Sequence, residues 1–187
     1  MAYYLYRPDA NAYAGIGVSL ADDARVMNIH FLDRSLTSGW IPIHCHGFDE
    51  NPHADGDFPS LSNFWRVPIF SERAWDSLRP VIGGYCEALP IVHPNGKPHF
   101  IINVRKFIDC IDTEKSQMRR YTDGMIMKLI KYSFNSNLDH NFHIFKLPRE
   151  TAGELLVDEE FRRAVEANGL RGLLFEALPT VDATRSP

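Results

Sequence analysis

Cysteine is scarce: there are three in 187 residues, at Cys45, Cys86 and Cys110. An odd, widely spaced set offers no disulfide framework and suits a reducing compartment. No Cys-x-x-Cys occurs, so a zinc ribbon or thioredoxin-like redox site has no support, and each thiol reads as a small buried hydrophobe. Charge of one sign is also in short supply. A formal net charge of −4 and a pI near 6.0 leave no basic footprint for nucleic acid. No apolar run approaches the roughly 20 residues that span a bilayer. The segment Met1 to Tyr6 lacks the basic and apolar stretches of a secretory signal. The expectation is a cytoplasmic protein with neither nucleic-acid nor membrane partners. Internal repeats and low-complexity tracts are missing. So are Gly-rich phosphate loops and the Gly-x-Ser-x-Gly elbow, since Gly15-Ile16-Gly17 with Ser19 fits neither.

What is present is an ordinary globular composition. Hydrophobic residues at 44% and charged residues at 24% suffice to bury a core, predicting one domain over residues 1–187. Residues 1–64 give irregular signals. Tyr3 to Tyr6 has strand propensity and ends at Arg7-Pro8-Asp9. Arg25 to Leu32 reads as a strand. Trp40 to Ile43 reads as an edge strand, because Pro42 cannot donate to an interior ladder. His44 to Ser62 reads as a long polar loop.

Signals sharpen over residues 65–178. Ser71 is placed to cap a helix from Glu72 to Val81, which carries Ala74, Trp75 and Leu78 on one face and stops at Gly83-Gly84. Tyr85–Val92 and His99–Val104 read as strands joined at Pro94-Asn95-Gly96-Lys97, where Asn-Gly is a hairpin signal. Phe107 to Asp112 continues the β character. Met125–Phe134 fits strand or helix and is read as a strand from its flanking Gly124 and Asn135; Phe142–Leu147 alternates as a strand. Asp158 is placed to cap a helix over Glu159–Ala167, which Asn168-Gly169 stops. Leu173–Leu178 is a last strand, and residues 179–187 form a polar tail. Strands joined by hairpins outnumber helices, which do not alternate regularly with them, so the predicted class is α+β: a largely antiparallel β-sheet with a few helices packed on it.

Several short motifs agree in order and spacing. They are Pro68-Ile69-Phe70-Ser71-Glu72-Arg73, Phe100-Ile101-Ile102-Asn103-Val104 with Ile108-Asp109-Cys110-Ile111-Asp112, and His143-Ile144-Phe145-Lys146-Leu147. Leu156-Val157-Asp158-Glu159-Glu160-Phe161 follows, then Gly169-Leu170-Arg171-Gly172-Leu173-Leu174-Phe175. From about residue 57 to 178 the chain resembles the immunity protein eleven family of bacterial polymorphic toxin systems. The resemblance implies neutralisation of a cognate toxin by direct binding, with no catalytic residues and no cofactor. Such toxins are often nucleases, whose basic clefts suit an acidic inhibitor. The recurring positions read as structural: Asn103 and Gly172 at turns or bulges, Phe145 and Phe175 in the core, Ser71 and Asp158 at caps.

Within the chain, aromatic residues beside carboxylates offer a paratope, since hot spots favour large rings within a polar rim. The toxin-binding candidates are Trp40, Asp49, Glu50, Asp55, Asp57 and Phe58. Phe64 and Trp65 flank the same loop and read equally as core beneath it. An alternative is a metal-dependent enzyme, because His44 and His46 would share one face of a strand, with His53 and nearby carboxylates to complete a ligand set. Against it stands the plainer reading of a solvated loop in which His and Asp make turns. A non-catalytic adaptor subunit is a third reading. Asp109 and Asp112 suggest paired carboxylates but fit turn acceptors better, and His140 and His143 would fall on opposite faces of a strand.

Overall fold

The computed structural model describes residues 2–48, 54–64, 66–135, 141–151 and 153–181. Strands β1 (Tyr3–Leu5), β2 (Arg7–Pro8) and β3 (Ile16–Val18) precede helix α1 (Leu20–Phe31) and strand β4 (Ile43–Gly47). Strand β5 (Ile69–Ser71) runs into helix α2 (Glu72–Ile82), and β6 (Cys86–Val92) and β7 (His99–Val104) form a hairpin. A second hairpin, β8 (Gln117–Arg120) and β9 (Ile126–Lys131), is followed by β10 (Ile144–Lys146) and a 3₁₀ turn at Arg149–Thr151. The described chain closes with β11 (Leu155–Asp158), helix α3 (Glu159–Ala167) and β12 (Leu173–Leu174).

A five-stranded sheet has the order β3-β4-β6-β7-β5 and a three-stranded sheet the order β1-β11-β10. Pairs β12-β2 and β8-β9 stand beside them. All named ladders are antiparallel except β4 with β6. The class is therefore α+β and mostly antiparallel, as the hairpin signals predict.

Successive strand residues face opposite sides of a sheet, and that alternation divides the apolar residues into three clusters. Phe70, Ile102, Ile144 and Val157 face the layer of α2 and α3, joined by Ala74, Leu78, Phe161 and Val165. Their strand neighbours Ile69 and Ile101 face the opposite side of the five-stranded sheet, beneath Val26 and Ile29 of α1. Phe145 and Leu156 face away from the helices, towards Leu129 at the base of the β8–β9 hairpin.

Local signals for α2 and α3 hold. Ser71 Oγ accepts from the Ala74 amide at 3.1 Å, and Asp158 Oδ1 accepts from the Phe161 amide at 3.0 Å. Both cap orphan amides of the first turn.

Several expectations are overturned. Arg25 to Leu32 belongs largely to α1: Val26, Ile29 and His30 are buried together at helical spacing, and Asp22 and Asp23 occupy the favourable first turn. The end of α1 is closed by a distant side chain, Lys146, whose ammonium donates to Leu32 O at 2.7 Å and Ile29 O at 3.3 Å. Residues 43–47 form β4 rather than the start of a loop. Only Ile43 is fully buried there, so its polar neighbours disguise a strand held by β3 on one side and β6 on the other. Asn103 is at no turn. It is buried within β7 and donates to Glu87 Oε2 and Arg34 O, both at 3.0 Å. Phe107 to Asp112 contributes only isolated bridges, at Phe107 and Ile111. Asp49, Glu50, His53, Trp65 and His140 lie outside the described residues.

Candidate functional site

A groove of about 510 Å³ opens at the start of α2, beside the turn of the β6–β7 hairpin. Its floor is set by Asp57. This buried carboxylate accepts from Ser71 Oγ at 2.8 Å, the Arg171 amide at 2.9 Å and Arg73 Nη1 at 3.1 Å. The Asp57 backbone amide donates to Arg171 O, and its carbonyl accepts from the Ser71 amide. Arg73 also donates to Asn168 O at 2.6 Å and Gly169 O at 3.1 Å, satisfying carbonyls at the end of α3. The cluster is thus a clasp joining the residue-57 strap, the start of α2 and the 169–172 turn. Gly172 there has a φ of +108°, a conformation that favours glycine.

The rim is more available. Asp55 is exposed, pairs with Lys97 at 3.7 Å and accepts from Asn95 Nδ2 at 3.0 Å. Exposed pairs of this kind contribute about 0–1 kcal/mol, so Asp55 can exchange partners at little cost. Behind the rim, His93 and His99 stack with centroids 3.9 Å apart. Burial pushes His93 down to about 4 and lowers His99, keeping both rings neutral near pH 7.

The remaining candidates separate into surface and core. Phe58 is 1% exposed and packs edge-on against Phe70 at 5.0 Å. Asp57 and Phe58 are therefore both buried, Asp57 at the groove floor and Phe58 in the core. Trp40 is half-buried; its Nε1 donates to Pro90 O at 2.9 Å and the Arg25 guanidinium lies 5.2 Å from its ring centroid. Phe64 packs against the cluster beneath α1.

His44 and His46 lie two apart on β4, both exposed, as the strand geometry requires. The His46 ring lies across Gly17, where a Cβ would meet its Nε2 at 2.6 Å, and edge-on to Phe48. Among the described residues no group of three His, Cys, Asp or Glu gathers to hold a metal. His53, the third proposed ligand, lies outside them.

Nucleophilic groups are muted. Burial pushes the Cys45 thiol up to about 11 and Cys110 to about 12, and raises Cys86 further. Asp112 accepts from the Glu114 and Lys115 amides, the turn role expected for it. His143 Nδ1 donates to Asp158 Oδ2 at 2.9 Å, a pairing the sequence left open because the partners are 15 residues apart. Since Asp158 also caps α3, that carboxylate orients the imidazole as part of the helix terminus.

Sequence reasoning missed a second concavity, about 900 Å³, between Phe31 at the end of α1 and the β8–β9 hairpin. Its visible signal was the apolar run Met125-Ile126-Met127 directly after a polar turn.

No helix among the described residues is long and apolar enough to cross a membrane. Comparison with curated protein sequences finds no match. The segment from the end of β6 through β12, residues 92–180, matches the immunity protein family (Imm11), and that match points to a toxin-immunity role.

Proposed function

We propose that this protein is an immunity protein that neutralises a cognate toxin by binding it directly, without catalysing a reaction. The observation that carries this reading is the family match over residues 92–180. The partner is the toxic C-terminal domain of a polymorphic toxin, and a nuclease with a basic cleft fits the acidic loop best. The binding surface on this reading comprises Trp40, Asp49, Glu50 and Asp55. Asp55 supports it through its exposure and its weak pairing with Lys97. Trp40 supports it as a large ring already anchored by Pro90, so little side-chain entropy is lost on docking.

The test is co-expression with the C-terminal domain encoded beside this gene. The reading expects rescue of growth and a complex that co-purifies. Reversing the charges of Asp49, Glu50 and Asp55 together is expected to weaken binding at least about tenfold, a loss of about 1.4 kcal/mol. Toxicity that persists with both proteins soluble refutes the immunity reading. Rescue with undiminished affinity in the triple variant keeps that reading and moves the surface away from the loop.

A further inference from the structure

The β8–β9 hairpin is poorly explained by its own stability. Residues Arg119 and Lys128 are direct cross-strand partners, and like charges in that position are destabilising. Across Gln117–Lys131 there are four cations, Arg119, Arg120, Lys128 and Lys131, and one carboxylate, Asp123, in a chain whose net charge is −4. Among the described residues, none of these cations forms an ion pair within 4.0 Å. The ladder is also bulged twice. Its register skips Met127 and Ile130, and both skipped residues are exposed. Bulges re-aim side chains and are over-represented where a surface is used.

The apolar side chains continue past the strands. Tyr121 is 52% and Met125 61% exposed, at either side of a turn closed by the Tyr121 amide donating to Met125 O. Facing them across the 900 Å³ concavity is Phe31, with the Arg149 guanidinium 5.3 Å from its ring centroid. A smaller concavity of about 350 Å³ shares Phe31 and adds Met27. Aromatic and methionine side chains enclosed by arginines are the composition enriched at protein interfaces.

We infer that this concavity is a docking surface for an acidic segment of the toxin that carries apolar anchors. Its anchors would sit between Phe31, Tyr121 and Met125, and its carboxylates would meet Arg120 and Arg149 in the lining and Lys128 on the adjoining strand β9. Charge complementarity selects that occupant: Arg66, Arg120 and Arg149 line the concavity against Asp123 and Glu150, and the hairpin beside it carries three more cations. This inference rests on the immunity reading, and it adds a second face with charge opposite to the acidic loop.

The probe is the C-terminal domain encoded beside the gene, mixed with the full chain and followed by amide hydrogen exchange. Protection on binding is expected at residues 27–31 and 118–131. The double variant R120E/K128E and the single variant Met125→Ser change exposed side chains only, and each is expected to weaken binding at least tenfold. Circular dichroism checks that each variant is folded. Wild-type binding with both variants within twofold, or protection confined to residues 40–62, overturns this surface and leaves the immunity reading standing. Absence of any complex between two folded proteins overturns the immunity reading itself, and this surface with it. Self-association of the free chain that protects residues 118–131 and is lost in R120E/K128E assigns the surface to a second copy and overturns the toxin occupant.

Discussion

Replacing Asp57 by alanine removes the acceptor that holds three segments together. The Ser71 hydroxyl and the Arg171 amide lose a buried charged partner, while Arg73 loses a contact made from a guanidinium more than half in water. Hydrogen bonds to charged groups contribute about 1.5–3 kcal/mol each, and the exposed arginine adds under about 1 kcal/mol. The expected loss is about 3–5 kcal/mol, comparable to other broken buried ionic networks. With a urea dependence of about 2 kcal/mol per molar, the unfolding midpoint falls by about 1.5–2.5 M. Arg73→Ala should shift it by under about 0.5 M, since that side chain is largely solvated. Asp57→Asn should fall between, because an amide keeps one acceptor but turns a donor towards other donors. Urea denaturation followed by tryptophan fluorescence measures all three. A midpoint for Asp57→Ala within about 0.5 M of wild type refutes the clasp and returns Asp57 to the set of residues free to meet a partner.

Acid sensitivity follows from the buried histidines. Burial pushes His30 and His93 down to about 4, so both stay neutral in the fold while the unfolded chain protonates them below about 6.5. Their contribution is fully present above pH 6.5 and lost as pH falls towards 4, up to about 3 kcal/mol each. Glu154, raised by burial, works in the opposite direction. In His30→Gln, which keeps a donor for Gly153 O, the decline in denaturation midpoint between pH 7 and 4.5 should be shallower; an unchanged decline would discount His30. Lys146, 2% exposed and pushed down to about 8 by burial, should destabilise by about 2–4 kcal/mol when replaced by alanine, from lost packing and uncapped carbonyls. Amide exchange should then accelerate most at the last turn of α1, and uniform acceleration throughout the chain would argue against a capping role. With all three thiols pushed upward, a disulfide reagent at pH 7.5 should leave Cys86 and Cys110 unmodified in the native protein and label Cys45 slowly; rapid stoichiometric labelling of a buried cysteine contradicts their assignment to the core.

Local chemistry written in neighbouring residues was legible without coordinates. Ser71 and Asp158 announce α2 and α3 because a cap acts over three residues, and Asn95-Gly96 announces the β6–β7 hairpin because a turn needs only its own backbone. The antiparallel α+β class follows from those local elements, and the family resemblance from motifs carried mostly by them. Tertiary structure decided whatever depends on distant partners. Helix α1 ends on Lys146, over 100 residues away, so its extent could not be read from Arg25 to Leu32 alone. Strand β4 exists because β3 and β6 bracket it, although its own residues are mostly polar. The same separation governs the surface. Asp55 and Asp57 are two residues apart with equal claims as sequence, yet one meets solvent at the groove rim and the other meets Ser71, Arg73 and Arg171 in the interior. Burial is set by what packs over a residue, and no local pattern records that; it also decides that Phe58 is core while Tyr121 and Met125 are left facing water.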